Sequence, residues 1–420
     1  MKVFWLFLSI VFVTPHRQVT YIGHQVLRIL VNSEEQLALV KSLKEVKHLK
    51  LNFWKAPERI DLPIEIRVPR KHAHTVKSFL ESNGITYSVM IKNLQSLAGE
   101  EHVRMLFSDQ RNGTNSFDYR SYHNLKEIYT WLKNLQNENP HIVRRIRIGR
   151  SFQQRALYVL KFSRRPNRPA IWIDSGTHGR EWIAPAVAIW IAKKITTDYG
   201  KDPFITSLLN KMDIFMFILA NPDGYVYSRT KVESRMWRKT MSRRQGSHCI
   251  GVDANRNFDA NFGGNGSSKA PCAESYCGPY AHSEPEVQAI VKFIKKKGNF
   301  KVFITLHSYK QLLMYPYGYT QVPPENVEEL ATLAKEATEA LSSLYGTQYT
   351  YGSIIELMNE SSGNSIDWSY NQGIKYAFAF EMRDEGQYGF RLPRSQIIPT
   401  AEETWLGIKK IMEHASNRLP

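Results

Sequence analysis

At 420 residues the chain is long enough for one large domain plus a smaller one. Its 56 Lys and Arg outnumber 39 Asp and Glu, leaving a formal net charge of +17. That excess is spread along the chain, with local concentrations at Arg243-Arg244 and Lys295-Lys-Lys297, and suits sulfated glycans or another polyanion, or else a solvated surface that repels its neighbours. No nucleic-acid motif accompanies it, so nucleic acid is excluded as the expected partner.

In chain order, Lys2 and the apolar run 3–13 read as a secretory signal, with cleavage near residue 17. At about eleven residues the run is too short to span a bilayer. No later stretch is long enough for a membrane helix, so the mature chain is expected to be soluble and secreted, an uncleaved anchor being the alternative. Residues 24–92 then read as strand, helix, strand, strand, helix, strand (24–31, 34–45, 49–54, 63–68, 73–83, 85–91), the order of a split βαβ sandwich with an antiparallel sheet. A helical connector, 93–107, leads into the polar loop 108–114. There Arg111 is either a trypsin-like processing site or an exposed interdomain arginine. Asn112-Gly-Thr114 is a glycosylation acceptor whose glycan would slow cleavage.

From Arg144 onward apolar strands alternate with helices (157–162, 170–174, 183–197, 213–220, 284–296, 301–306, 327–344, 376–381, 401–414). That pattern argues a single α/β domain with helices on both faces of a mostly parallel sheet. His178 and Glu181 lie where a buried strand turns into a helix, and Gly176 and Gly179 let the turn be tight. His307 ends another apolar run. Open α/β sheets place their ligands at such carboxyl ends. Two nitrogens and a carboxylate, with a fourth position left for water, form a catalytic zinc arrangement, and this donor set suits zinc better than magnesium or calcium. H-x-x-E by itself is a weak motif, since a His and Glu at this spacing are more often ordinary polar residues.

Further motifs change that balance. Arg235-Met-Trp-Arg238, Asp253-Ala-Asn-Arg-Asn257, His307-Ser-Tyr309, Ser365-Ile-Asp-Trp368 and Phe380-Glu-Met-Arg383 follow one another at spacings that resemble the A/B subfamily of zinc metallocarboxypeptidases. The pancreatic-type A procarboxypeptidases are the nearest pattern, from about residue 22 to the end. The resemblance implies a signal peptide (1–17), an activation propeptide (18–111) and a monomeric catalytic domain (112–420) built on a mixed eight-stranded sheet. It implies zinc on His178, Glu181 and His307, with Asp253 accepting the remaining imidazole proton of His178; an Asp in such a turn otherwise caps backbone amides.

By the same resemblance Glu381 is the general base, the alternative being a salt bridge to Arg383. Arg238 faces the developing oxyanion, and Asn255 and Arg256 clamp the substrate's terminal carboxylate. Arg180, Arg235, Ser308, Tyr309 and Phe390 complete the substrate contacts. Ile366 leaves an apolar pocket floor where B-type enzymes carry an acid, and Ala379 adds room, so substrates should end in an aromatic or aliphatic residue. Three cysteines leave one over. The family pairs Cys249 with Cys272, whereas Cys277 is open to a free thiol, an intermolecular link or a rival bond to Cys272.

The chain departs from that pattern at Asn359, which replaces the lid tyrosine and weakens substrate binding by about 1–3 kcal/mol for one missing hydrogen bond. Asn359-Glu-Ser361 is also a glycosylation acceptor at the cleft mouth, and Asn265-Gly-Ser267 is a third. Asn364 at the pocket wall, two extra residues before Arg235 and Arg391 in place of an apolar residue are smaller departures. The expected protein is a secreted zinc exopeptidase zymogen acting on peptide and protein C-termini after a trypsin-like protease releases it. Its rival is a weakly active or inactive relative that binds C-termini or anionic surfaces.

Overall fold

The computed structural model describes residues 22–55, 57, 60, 63–94, 113–165 and 167–418. The expected signal peptide, most of the connector, Arg111 and Asn112 lie outside the described residues. Among the described residues, no helix is long and apolar enough to cross a membrane.

The amino-terminal unit is a four-stranded sheet of β1 (Gln25–Leu30), β2 (Asn52–Lys55), β3 (Ile64–Val68) and β4 (Thr86–Ile91) in the order β2-β3-β1-β4. All its pairings are antiparallel. Helices Glu34–Ser42 and Ala73–Ser82 connect the strands, and Leu37, Val40, Val76 and Leu80 bury against Leu27, Ile29, Ile64 and Ile66. Alternation along β1 and β3 turns one face to this core, the reason a short apolar run pairs here as a strand. Predicted and observed elements agree within a few residues.

The larger unit is an eight-stranded sheet: β5 (Val143–Arg150), β6 (Ala156–Phe162), β7 (Ala170–Ser175), β8 (Asp213–Phe217), β9 (Phe300–Ser308), β10 (Leu312–Tyr315), β11 (Thr350–Ser353) and β12 (Tyr376–Met382). Their order is β11-β10-β12-β9-β7-β8-β6-β5. The pairs β7–β8, β7–β9, β9–β12 and β10–β11 are parallel, whereas β5–β6, β6–β8 and β10–β12 are antiparallel. The sheet is mixed, with helices on both faces. Every residue of β7 is buried, which is why it reads as a continuous apolar run.

Sequence periodicity missed the helices Leu125–Glu138, Pro203–Lys211, Pro222–Thr230, Ile354–Leu357 and Ser365–Asn371 and three strands, β5, β10 and β11. β5 reads VRRIRIGR at the sheet's edge, where arginines replace the apolar signal of a central strand. The last helix begins at Ile397 rather than 401, because Pro399 falls in its first turn, where no amide hydrogen is needed.

A separate apolar cluster joins the two units. Val26, Trp54, Ile91 and Leu94 of the first pack with Met236, Tyr309 and Phe390 of the second. Arg391, polar where an apolar residue was expected, is buried and donates from Nη1 to the Leu94 carbonyl at 2.7 Å.

Candidate active site

The parallel strands β7 and β9 end side by side, with Ser175 opposite Leu306. After β7 the chain turns at Gly176 (φ +67°), where a Cβ would lie 2.6 Å from Leu219 Cδ1. At Gly179 a Cβ would meet the Gly224 carbonyl oxygen at 2.4 Å. The positive φ at Gly176 and the backbone contact at Gly179 call for glycine, and this tight turn brings His178 and Glu181 toward the end of β9. On the other side of β9, β12 sets Glu381 opposite His307.

Three side chains converge as a result. His178 Nδ1 lies 2.7 Å from Glu181 Oε1, His307 Nδ1 lies 3.0 Å from Glu181 Oε2, and the two Nδ1 atoms are 3.2 Å apart. One donor atom from each falls within 4.8 Å of the others, and all three residues are buried. This set fits a zinc ion: two imidazole nitrogens and one carboxylate oxygen face a common point in a site shielded from water. A second His/Cys cluster, His248 with Cys249 and Cys272, offers no thiolate, because its cysteines are joined in a disulfide.

The opposite nitrogen of each histidine is anchored. His178 Nε2 meets Asp253 Oδ1 at 3.1 Å, and Asp253 Oδ2 accepts from Arg238 Nε at 2.9 Å. Asp253 also accepts from the Asn255 amide at 3.0 Å, so it caps the turn and orients the imidazole together. Burial alone would raise its pKa, but Arg238 and His178 outweigh this and hold it well below the usual carboxylate range. Burial and the Arg238 charge lower the pKa of His178 and keep it neutral, as a ligand must be.

His307 Nε2 lies 3.1 Å from Thr305 Oγ1, which donates to Asp174 Oδ1 at 2.6 Å, while Trp172 Nε1 holds Asp174 Oδ2 at 2.7 Å. Sequence reasoning missed this chain. Its signal was present: Thr305 precedes His307 by two residues on one strand face, and Asp174 sits opposite Thr305 in register.

Glu381 reaches about 7, raised first by burial and then by the negative charge of Glu181. Arg383, the alternative partner, is taken by Glu403, whose Oε1 accepts from Arg383 Nε at 2.7 Å. Arg238 enters the centre despite the two added residues upstream, its Nη1 lying 3.3 Å from His178 Nδ1. Asn255 Oδ1 accepts from the Ser365 amide, and Arg256 spans the carbonyls of Gly266 and Asn255. Ile366 and Ala379 are buried, as is Ser308, whose hydroxyl has no hydrogen-bond partner among the described residues.

Other expected contact residues hold structural bonds in the zymogen. Arg235 is buried over Trp182 (3.6 Å) and donates to the carbonyls of Arg180 and Phe390. Arg180 stacks on Phe390 at 4.1 Å and reaches Glu274. Asn364 is consumed as a helix cap, bound to Ser361 and Asp367. Asn359 is half-buried, its Oδ1 lacking a hydrogen-bond partner among the described residues. Tyr309 donates its phenol to Glu65 of the amino-terminal unit. Cys249 and Cys272 form the disulfide, and Cys277 is a buried thiol donating to the Gly278 carbonyl at 3.5 Å, which closes both the rival pairing and a ready intermolecular link.

Residues 128–407 match the family model described as zinc carboxypeptidase, and residues 27–101 match that of the carboxypeptidase activation peptide. The chain is 54% identical to carboxypeptidase A1 of Bos taurus over 401 residues, covering 95% of each chain. It is 53% identical to carboxypeptidase A2 of Mus musculus over 397 residues, 94% of this chain and 95% of that one. Among solved structures, thrombin activatable fibrinolysis inhibitor superposes with a TM-score of 0.87 at 36% identity, over 94% of this chain and 99% of that one. Carboxypeptidase A from Helicoverpa armigera gives 0.84 at 26% identity, over 95% and 98%. A buried His-Glu-His centre at the carboxyl edge of this sheet, behind an activation unit, defines a metallocarboxypeptidase zymogen whose cofactor is zinc. The chain belongs to the zinc carboxypeptidase family and, within it, is an A-type procarboxypeptidase.

Proposed function

We propose that the protein is secreted as a zymogen, is cut after Arg111 by a trypsin-like protease, and then releases aromatic or aliphatic residues one at a time from peptide and protein C-termini. In this reading residues 1–17 are the signal, 18–111 the propeptide and 112–420 the enzyme. The observation that carries the specificity is the buried Ile366 with small Ala379. An apolar floor desolvates a cationic side chain without pairing it and accepts a ring at no such cost.

Bound at His178, Glu181 and His307, zinc supplies Lewis-acid polarisation of the scissile carbonyl and acidifies water. Glu381, whose burial raises its carboxyl above the ordinary range, takes a proton from the attacking water and returns it to the leaving amine. Arg238, fixed through Asp253, aims its remaining guanidinium edge at the developing oxyanion. Arg256 and Asn255 receive the substrate's terminal carboxylate, which limits cleavage to chain ends. Asn359, too short to close the cleft as a phenol does, favours a slower enzyme than its tyrosine-bearing relatives.

Trypsin-treated protein should hydrolyse a blocked dipeptide ending in Phe far faster than one ending in Lys, and Glu381→Gln should abolish the reaction. Phe-substrate turnover that survives Glu381→Gln would overturn the assigned base. No turnover at all by the wild type would favour a C-terminus-binding relative.

A further inference from the structure

The proposed reaction occupies the carboxyl ends of β7, β9 and β12 and leaves the opposite edge of the sheet without a role. That edge gathers positive charge. Lys301 is the second residue of β9, Arg168 precedes β7, Lys211 precedes β8, Arg164 and Arg165 follow β6, and Arg144 is the second residue of β5. The register brings these ends together: Ala170 pairs with Phe300 and with Asp213, Phe162 with Ile214, and Val143 with Phe162.

The strand order here is β9-β7-β8-β6-β5. Four inter-strand steps of about 4.8 Å therefore lay the cations in a row roughly 19 Å long. Lys301, Lys211, Arg164, Arg165 and Arg144 are exposed, and none is in a salt bridge among the described residues. Neighbouring acids are already neutralised. Asp213, fully buried, holds Lys161 at 3.0 Å and Lys297 at 3.6 Å, while Asp198 and Asp202 hold Lys194 and Lys409.

We infer that this edge docks a linear sulfated polysaccharide, with the catalytic cleft facing away from it. A row of unpaired guanidinium and ammonium groups matches a polymer carrying sulfates at regular intervals, and each contact releases condensed counterions. The choice of a polysaccharide over nucleic acid rests on the proposed secretion. The row itself does not.

The test is the salt dependence of heparin binding by the full-length zymogen. Wild type should bind at physiological salt, and the triple variant Arg164→Glu, Arg165→Glu, Lys301→Glu should lose at least tenfold in affinity. Its log–log salt slope should fall by roughly two to three. The charge-matched control Lys126→Glu, Lys133→Glu, Lys335→Glu should change less than twofold, and desulfated heparin should not bind. The milder Arg165→Gln, retaining wild-type melting, should show a partial loss. Equal losses in both triple variants would reduce the effect to diffuse charge, and duplex DNA or phosphatidylserine vesicles binding as tightly as heparin would overturn the assignment. Failure of the Phe-dipeptide assay would leave these outcomes untouched, so the two readings fail separately.

Discussion

The phenol of Tyr309, two residues beyond the zinc ligand His307, donates to the buried carboxylate of Glu65 on β3 of the activation unit. Arg28 of the same unit holds Glu65, its Nη2 lying 2.9 Å from Glu65 Oε1, and also donates to the Glu385 carbonyl of the larger unit. The activation unit is thus tied to the strand that carries the metal site. Glu65→Gln keeps the shape but removes the charge from this bond, a loss of about 1–3 kcal/mol. Activity of the full-length variant should appear several-fold sooner after trypsin treatment, at an unchanged rate of chain cleavage. Identical lag times would show that the link does not hold the cleaved unit in place.

Asp253 holds both His178 and Arg238. Asp253→Asn should weaken zinc affinity about 10- to 100-fold, read by competition with a chromophoric chelator. Complete zinc removal should abolish peptidase activity, and added zinc should restore it. Unchanged affinity in the variant would sink the orienting role.

The Thr305 hydroxyl bridges His307 and Asp174. Thr305→Val removes the bridge and leaves Asp174 with one fewer partner in a fully enclosed position, a destabilisation of about 1–3 kcal/mol. Urea unfolding measures that loss. Zinc should also leave faster from the variant, since nothing then fixes the ring of His307; an unaltered zinc off-rate would confine Thr305 to packing.

Glu381 provides a pH signature. In the metal-free protein its pKa is raised from 4.5 to about 7, so the native state retains a proton that the unfolded chain gives up. Its contribution to stability is neutral below about pH 4.5 and a full cost above about pH 7. Metal-free Glu381→Gln should therefore melt higher than wild type at pH 8, with the difference fading toward pH 5. With zinc bound, the added positive charge lowers the carboxyl, and the acidic limb of kcat/KM should fall between 4.5 and 7. A melting difference independent of pH would contradict this assignment.

Asn359→Tyr restores a phenol at the cleft mouth and removes the acceptor sequence. One regained hydrogen bond, about 1–3 kcal/mol, corresponds to a rise of roughly 5- to 150-fold in kcat/KM for Phe-terminated substrates. Steady-state kinetics on activated protein decides it, and an unchanged value would place the side chain outside the productive complex.

The chain order of apolar runs determined both units and most of their strands, because burial on two faces writes a continuous apolar signal. The ends of such runs also pointed to His178 and His307, with Glu181 just beyond the first, whereas their roles and that of Glu381 came from the resemblance of several motifs to one family. Edge strand β5, rich in arginine, and β11, TYGS, carry no continuous apolar run, and β10, though apolar and buried, is only four residues long. Only the tertiary structure shows where these two arginines lie: Arg238 beside His178, Arg235 buried on Trp182. Their shared tetrapeptide cannot distinguish them, because each guanidinium's partners arrive from segments distant in sequence. The same holds for Glu65 against Tyr309 and for the cationic row along the far edge of the sheet, both made by strand register and packing rather than by neighbours along the chain.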